Sequence, residues 1–210
     1  MTRLTSPASL QVHLNNLKTL CNRRVNERWD FFWRNLPTLP RTKVAIVLGG
    51  LVHDMYFLDR VNRSLIYGKE ELPTAEEVSE AKEILKSAKF AVPNLIILLG
   101  GSDRDQGLQE SVIIFLGFLG REYPEVVRPA IPLLARRLEE LMDKNQAREI
   151  DDPIPNEVTI AINIAQAFSF IAESQVQFLR PFTPVLQKAS KFPELHTAHI
   201  AGEILEKLRT

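Results

Sequence analysis

His196, His199, Glu203 and Glu206 recur at steps of three, four and three, so a helix through them carries two imidazoles and two carboxylates on one face. Thr197, Ala201, Ile204 and Leu208 fall on the opposite face. Two imidazoles and a carboxylate at that spacing can hold a divalent metal. The same residue types also make an ordinary solvated helix face, and that is the reading adopted. No metal is expected, and His196, His199 and Glu203 are the residues that would hold one. His53-Asp54 follows an apolar run and reads as a surface pair, because no further acid or base is placed for proton transfer. The stretch "SDRDQG", residues 102–107, alternates acids as a calcium loop does. It lacks the further oxygen ligands and the terminal Glu, so Ser102 or Asp103 is expected to cap a helix.

Other chemistry is absent from the string. There is no Gly-x-Ser-x-Gly, no Gly-x-x-x-x-Gly-Lys and no Cys pair for zinc. Gly49, Gly50, Gly100, Gly101, Gly117 and Gly120 lie within or at the ends of apolar runs, where close helix packing or helix termination accounts for them. No catalytic residue and no cofactor are expected.

Lys+Arg and Asp+Glu both total 26, so net charge gives no general attraction to nucleic acid or anionic lipid. The charge is uneven, however. Residues 1–63 hold 10 bases and 4 acids, a net of +6, which the rest of the chain balances. Arg23, Arg24, Arg28 and Arg34 cluster near Trp29, Phe31 and Trp33, and exposed Arg among aromatics can grip phosphates and stack bases. The competing reading puts Trp29 and Phe32 in a core stripe and leaves the arginines as a solvated face. The single Cys21 excludes an internal disulfide framework and suits a reducing compartment, so the cytoplasm is expected. Organelle import stays open, because no acid precedes Glu27 while Arg3, Lys18, Arg23 and Arg24 do. The longest apolar runs fall well short of the roughly 18 residues a membrane span needs, and no membrane partner is expected.

These side chains must be positioned by helices. Leu10, Leu14, Leu17, Cys21, Val25, Trp29, Phe32 and Leu36 recur at steps of three and four, predicting one long helix or two stacked ones stopped by Pro37 and Pro40. A helix over 44–58, apolar nearly all round at its start, is expected to be buried. Residues 62–73 read as a linker, and Thr74 with Glu77 as a capping box opening a charged helix to about Lys89. Further helices are expected over 92–99, 108–122, 126–142, 157–173, 176–190 and 194–208. A loop, "DKNQAREIDDPIPNE", residues 143–157, carries five acids against two bases. No segment alternates as a strand does.

Two phrases nearly coincide: "VRPAIPLL", residues 127–134, and "LRPFTPVL", residues 179–186. Pro132 and Pro184 are 52 positions apart, and "FAVPNLI" supplies Pro93 a further 39 positions before Pro132. Each copy opens an apolar helix that follows another, the period of stacked helix pairs. In Pro93, Pro132 and Pro184, and in "VIIFLGFLG", residues 112–120, the chain resembles the HEAT/armadillo-like α-solenoids as a divergent member. Asp103 and Asp105 match the family's Asp position, but Gln109 and Glu110 stand where its Arg is expected.

The resemblance implies an all-α right-handed superhelix of stacked antiparallel hairpins in one domain. Residues 1–63 would form an atypical capping pair, 64–90 a linker and charged helix, and 91–210 about three repeats. It also implies a non-catalytic scaffold whose curved face holds another protein. Arg128 and Arg180 occupy equivalent repeat positions and are read as mainly structural, a ladder along one edge that pairs with acids such as Glu125, with contact to a partner as their second role. Asp151 and Asp152, in the acidic loop, would gate a nucleic-acid surface or contact a basic partner. The alternative is a nucleic-acid-binding module using Arg23, Arg24, Arg28 and Arg34 on the basic N-terminal helix. The family's DNA alkylation-repair glycosylases are a weaker option, since no matching aromatic and acidic cleft can be placed here.

Overall fold

A computed structural model describes residues 25–58, 74–100, 105–145 and 156–210, and every regular element among them is helical. Helix α1, Val25–Asn35, stops where Pro37 enters a 3-10 turn at Leu36–Thr38. The carbonyls left open there are met by side chains: Asn35 Nδ2 donates to Phe31 O at 2.8 Å and Thr38 Oγ1 to Asn35 O at 2.9 Å. Helix α2, Arg41–Leu58, buries Val44, Leu48, Leu51 and Met55 at steps of four, three and four. Its start is not buried all round, as the run of apolar residues predicts, because Ile46 is 75% exposed. Composition sets the hydropathy of a helix, but only the neighbours present decide how many faces are covered.

Helix α3, Ala75–Ala88, leads through a 3-10 turn at Lys89–Ala91 into α4, Val92–Gly100. Helix α5 spans Gln106–Glu122, and all of its residues from 112 to 120 are buried. A short α6, Pro124–Val127, and a 3-10 turn at Arg128–Ala130 precede α7, Ile131–Lys144. Helix α8 is Asn156–Gln175; a long 3-10 segment, Val176–Phe182, then leads into α9, Thr183–Ala189, and α10 closes the chain at Leu195–Arg209. Residues 143–145 therefore end α7 instead of opening the loop. Residues 1–24, the 62–73 linker, Gly101, Ser102, Asp103, Asp151 and Asp152 lie outside the described residues, as does the Glu77 side chain of the expected capping box.

Helices α2, α5, α8 and α10 pack in succession, while α4 lies on α5, α7 on α8 and α9 on α10. The α5–α8 contact is the most extensive, and two glycines make it possible. A methyl group at Gly117 would sit 2.8 Å from Ala167 Cα, and one at Gly120 would overlap Ile171 Cγ1. The packing account of the glycines therefore holds at 117 and 120. It fails at Gly50, where nothing lies within 4 Å. Gly50→Ala is expected to raise stability by about 0.5–1 kcal/mol, since it removes backbone freedom from the unfolded chain at a helical position. A urea melt with an unchanged or lower midpoint would contradict this.

Among the described residues no helix is long and apolar enough to cross a membrane. Trp33 fixes α1 to the rest. It is buried, donates from Nε1 to Ser87 Oγ at 3.0 Å, and stacks on Phe115 with ring centroids 5.3 Å apart.

Candidate functional site

The recurrent phrase folds the same way three times. Aligned on Pro93, Pro132 and Pro184, each copy has a base four positions earlier: Lys89, Arg128 and Arg180. Each base lies in a 3-10 turn that leads directly into a helix, and each proline is the second residue of that helix. Proline costs no hydrogen bond there, because the first helical amides have no partner within the helix. The leucine two positions after each proline, Leu95, Leu134 and Leu186, is buried and anchors the turn. The prolines themselves are exposed, as are Phe90, Pro129 and Pro181, each next to its base. One edge of the molecule thus repeats an exposed apolar residue, an exposed proline and a base.

Cation–aromatic contacts link successive copies. Lys89 Nζ lies 5.3 Å from the Tyr123 ring and 5.5 Å from that of Phe90, and Arg128 Cζ lies 5.0 Å from the Phe178 ring. Tyr123 and Phe178 each belong to the segment that leads into the next copy. The pairing of Arg128 with Glu125, expected from sequence, is present at 3.7 Å between two well-exposed side chains. An open pair of that kind holds its partners weakly. Between the second and third copies the surface sinks into a groove of about 450 Å³, walled by Arg128, Pro129 and Pro132 on one side and Phe178, Pro181 and Phe182 on the other. The sequence reading names Arg128 and Arg180 but misses Lys89. Alignment on the three prolines contains the signal that finds it.

The other candidates are placed as follows. His196, His199 and Glu203 are exposed on α10, where His199 Nε2 sits 3.3 Å from Glu203 Oε1. Among the described residues no group of three His, Cys, Asp or Glu side chains is arranged to hold a metal. His53 Nδ1 lies 3.7 Å from Asp54 Oδ1 on α2. Hydrogen bonding to that carboxylate raises the His53 pKa, partly offset by burial. Arg34 is exposed near the end of α1, while Arg23, Arg24 and the Arg28 side chain lie outside the described residues. Of the aromatics beside them, Trp33 is committed to the core, Trp29 and Phe32 pack partly against it, and Phe31 is 64% exposed.

The cap of α5 is Asp105, not Ser102 or Asp103: its Oδ1 accepts from the Leu108 amide at 3.1 Å. Three acceptor-bearing residues in the four positions 102–105 fit an N-cap equally well by type, and only the register of the helix chooses. Where an Arg is expected, Gln109 is buried and its Oε1 accepts from Arg137 Nη2 at 2.7 Å, a polar tie between α5 and α7.

Glu194 caps α10, accepting from the His196 and Thr197 amides at 2.8 and 2.7 Å. Burial pushes its carboxyl up, but the interactions with Thr197 and the His196 amide outweigh this and leave its pKa lowered. The Thr197 hydroxyl contributes by proximity to the carboxylate, without a hydrogen bond of good geometry. A lowered folded pKa means that the cap stabilises above the ordinary carboxyl value of 4.5 and is lost as pH falls through the folded value. Glu194→Ala is expected to cost about 1 kcal/mol at neutral pH, shrinking as the buffer is acidified below pH 4. Parallel melts at the two pH values check it, and a pH-independent difference would refute the cap.

Comparison with family models, with curated proteins and with solved structures finds no match to this chain.

Proposed function

We propose that this protein is a non-catalytic interaction scaffold built on a short, divergent HEAT/armadillo-like right-handed solenoid. The observation that supports this reading most is the repeated edge, where a base, an exposed apolar residue and an exposed proline recur at Lys89, Arg128 and Arg180. The helix starts account for Pro93, Pro132 and Pro184, and the exposed Phe90, Pro129 and Pro181 beside the bases supply the apolar part of a binding surface. The succession of α4/α5, α7/α8 and α9/α10 pairs supports the solenoid part of the reading.

Tagged protein incubated with native lysate, with and without nuclease, and analysed by mass spectrometry tests this function. A defined protein retained after nuclease treatment is the expected result. A folded bait that retains no specific protein would refute the scaffold reading.

A second reading is favoured by one observation, the exposure of both Phe31 and Arg34 near the end of α1, within the basic first 63 residues. There the chain would bind single-stranded nucleic acid, and reversing Arg23, Arg24 and Arg28 to glutamate would lower both the affinity and its salt dependence.

A further inference from the structure

We infer that the edge carrying Lys89, Arg128 and Arg180 docks an extended, proline-containing acidic peptide segment with one carboxylate per repeat. This inference rests on the scaffold reading and names the chemistry of its partner.

Charge and spacing carry it. Among the described residues, neither Lys89 nor Arg180 has a carboxylate partner, and Arg128 has only the open pair with Glu125 at 3.7 Å. The aromatic contacts of Lys89 and Arg128 hold these long side chains in place without neutralising them. Two bases held by aromatic rings, and the exposed Arg180 after them, therefore present positive charge that the fold itself leaves largely uncompensated. An anionic partner is the complement.

The spacing selects the form of that partner. Helices α7 and α9 pack on each other, and packed helices lie about 8–10 Å apart, so Arg128 and Arg180, each in the turn before its helix, recur at roughly that interval, with Lys89 joined to the row through Tyr123. A polyproline II strand rises about 3.1 Å per residue with three residues per turn, and so repeats each face about every 9 Å. A carboxylate at every third residue of such a strand meets one base per turn. Prolines and aliphatic side chains between the carboxylates then pack on Phe90, on Pro129 and in the groove between Pro132 and Phe178. That groove is about 450 Å³ and walled largely by proline and phenylalanine, a fit for a pyrrolidine ring or a leucine. A nucleic-acid strand fits less well, because bases seek open aromatic faces and the exposed surface beside Arg128 and Arg180 is proline.

The test uses the full chain and a fluorescein-labelled peptide of repeated Glu-Pro-Leu triplets, read by fluorescence anisotropy. Binding that weakens with salt is expected, and Lys89→Ala and Arg180→Ala should each weaken it about threefold. Glu125→Gln, which frees Arg128 from its intramolecular partner, should tighten binding about twofold, a gain that misfolding does not produce. A peptide with its carboxylates at every fourth residue should bind at least about threefold more weakly, because its acids spiral off the face. Equal binding of the two peptides, indifference to all three substitutions, or displacement by oligouridylate with equal affinity would each overturn the inference. The scaffold reading is tested apart from this: a lysate partner that still binds the Lys89→Ala, Arg128→Ala, Arg180→Ala variant would remove this docking edge and leave the scaffold standing, whereas a folded parent bait that retains no specific protein sinks the scaffold itself.

Discussion

Gly117→Val is expected to cost about 3 kcal/mol of stability, because an overpacked core contact must be relieved by moving elements that other contacts hold. The first added carbon already lies 2.8 Å from Ala167 Cα, so the obstacle is backbone and cannot rotate away. It also approaches the Phe170 ring at 3.0 Å, and that ring stacks on Phe118 with centroids 4.7 Å apart. Relief therefore requires α5 and α8 to separate, which loosens the most extensive contact of the fold. Urea denaturation followed by far-ultraviolet circular dichroism measures the effect, and Gly50→Ala in the same experiment shows whether a methyl group on a helical glycine is harmful in itself. A Gly117→Val midpoint equal to that of the parent would mean that these helices do not approach as closely as described.

The second large effect is where α1 meets α5. Trp33→Ala is expected to cost about 4 kcal/mol, within the range for truncating a buried aromatic side chain. The indole stacks on Phe115 and on Trp29, with centroids 5.3 and 5.6 Å apart, and its N–H meets Ser87. Trp33→Phe retains most of the ring contact and loses the hydrogen bond, so about 1–2 kcal/mol is expected. If both variants melt like the parent, α1 is not docked through Trp33. The nucleic-acid reading would then regain an aromatic that the core now claims.

Much of the helical layout is legible in the sequence, because stripes at steps of three and four and prolines at helix starts are strong local signals. Boundaries drift where one local rule has several solutions. Trp29, Phe32 and Trp33 all fall within a helical face about 100° wide, so the stripe cannot tell which aromatic is buried most deeply. Asp103 and Asp105 are equally good caps by residue type. The 3-10 segments before α4, α7 and α9 escape notice because three to seven residues are too few to set a period distinct from that of the helix they lead into. Gly117 and Gly120 carry a faint signal in their three-residue spacing, which puts both on one face. Gly49 and Gly50 look the same by composition and contact nothing that excludes a side chain. As for the surface, Arg128 and Arg180 are visible as repeated Arg-Pro pairs. Lys89 is hidden because Phe90 replaces the proline that makes the other two conspicuous.

The glycine seam also bears on how the chain comes together. Gly117, Gly120 and Ala167 have no side-chain torsions to freeze, which offsets part of the backbone freedom that helical glycine gives up. With α2 and α4 against α5, and α7 and α10 against α8, the contact is shielded on both sides. Loosening would then proceed inward from the two ends of the stack, and the middle pair would separate only when the whole molecule does.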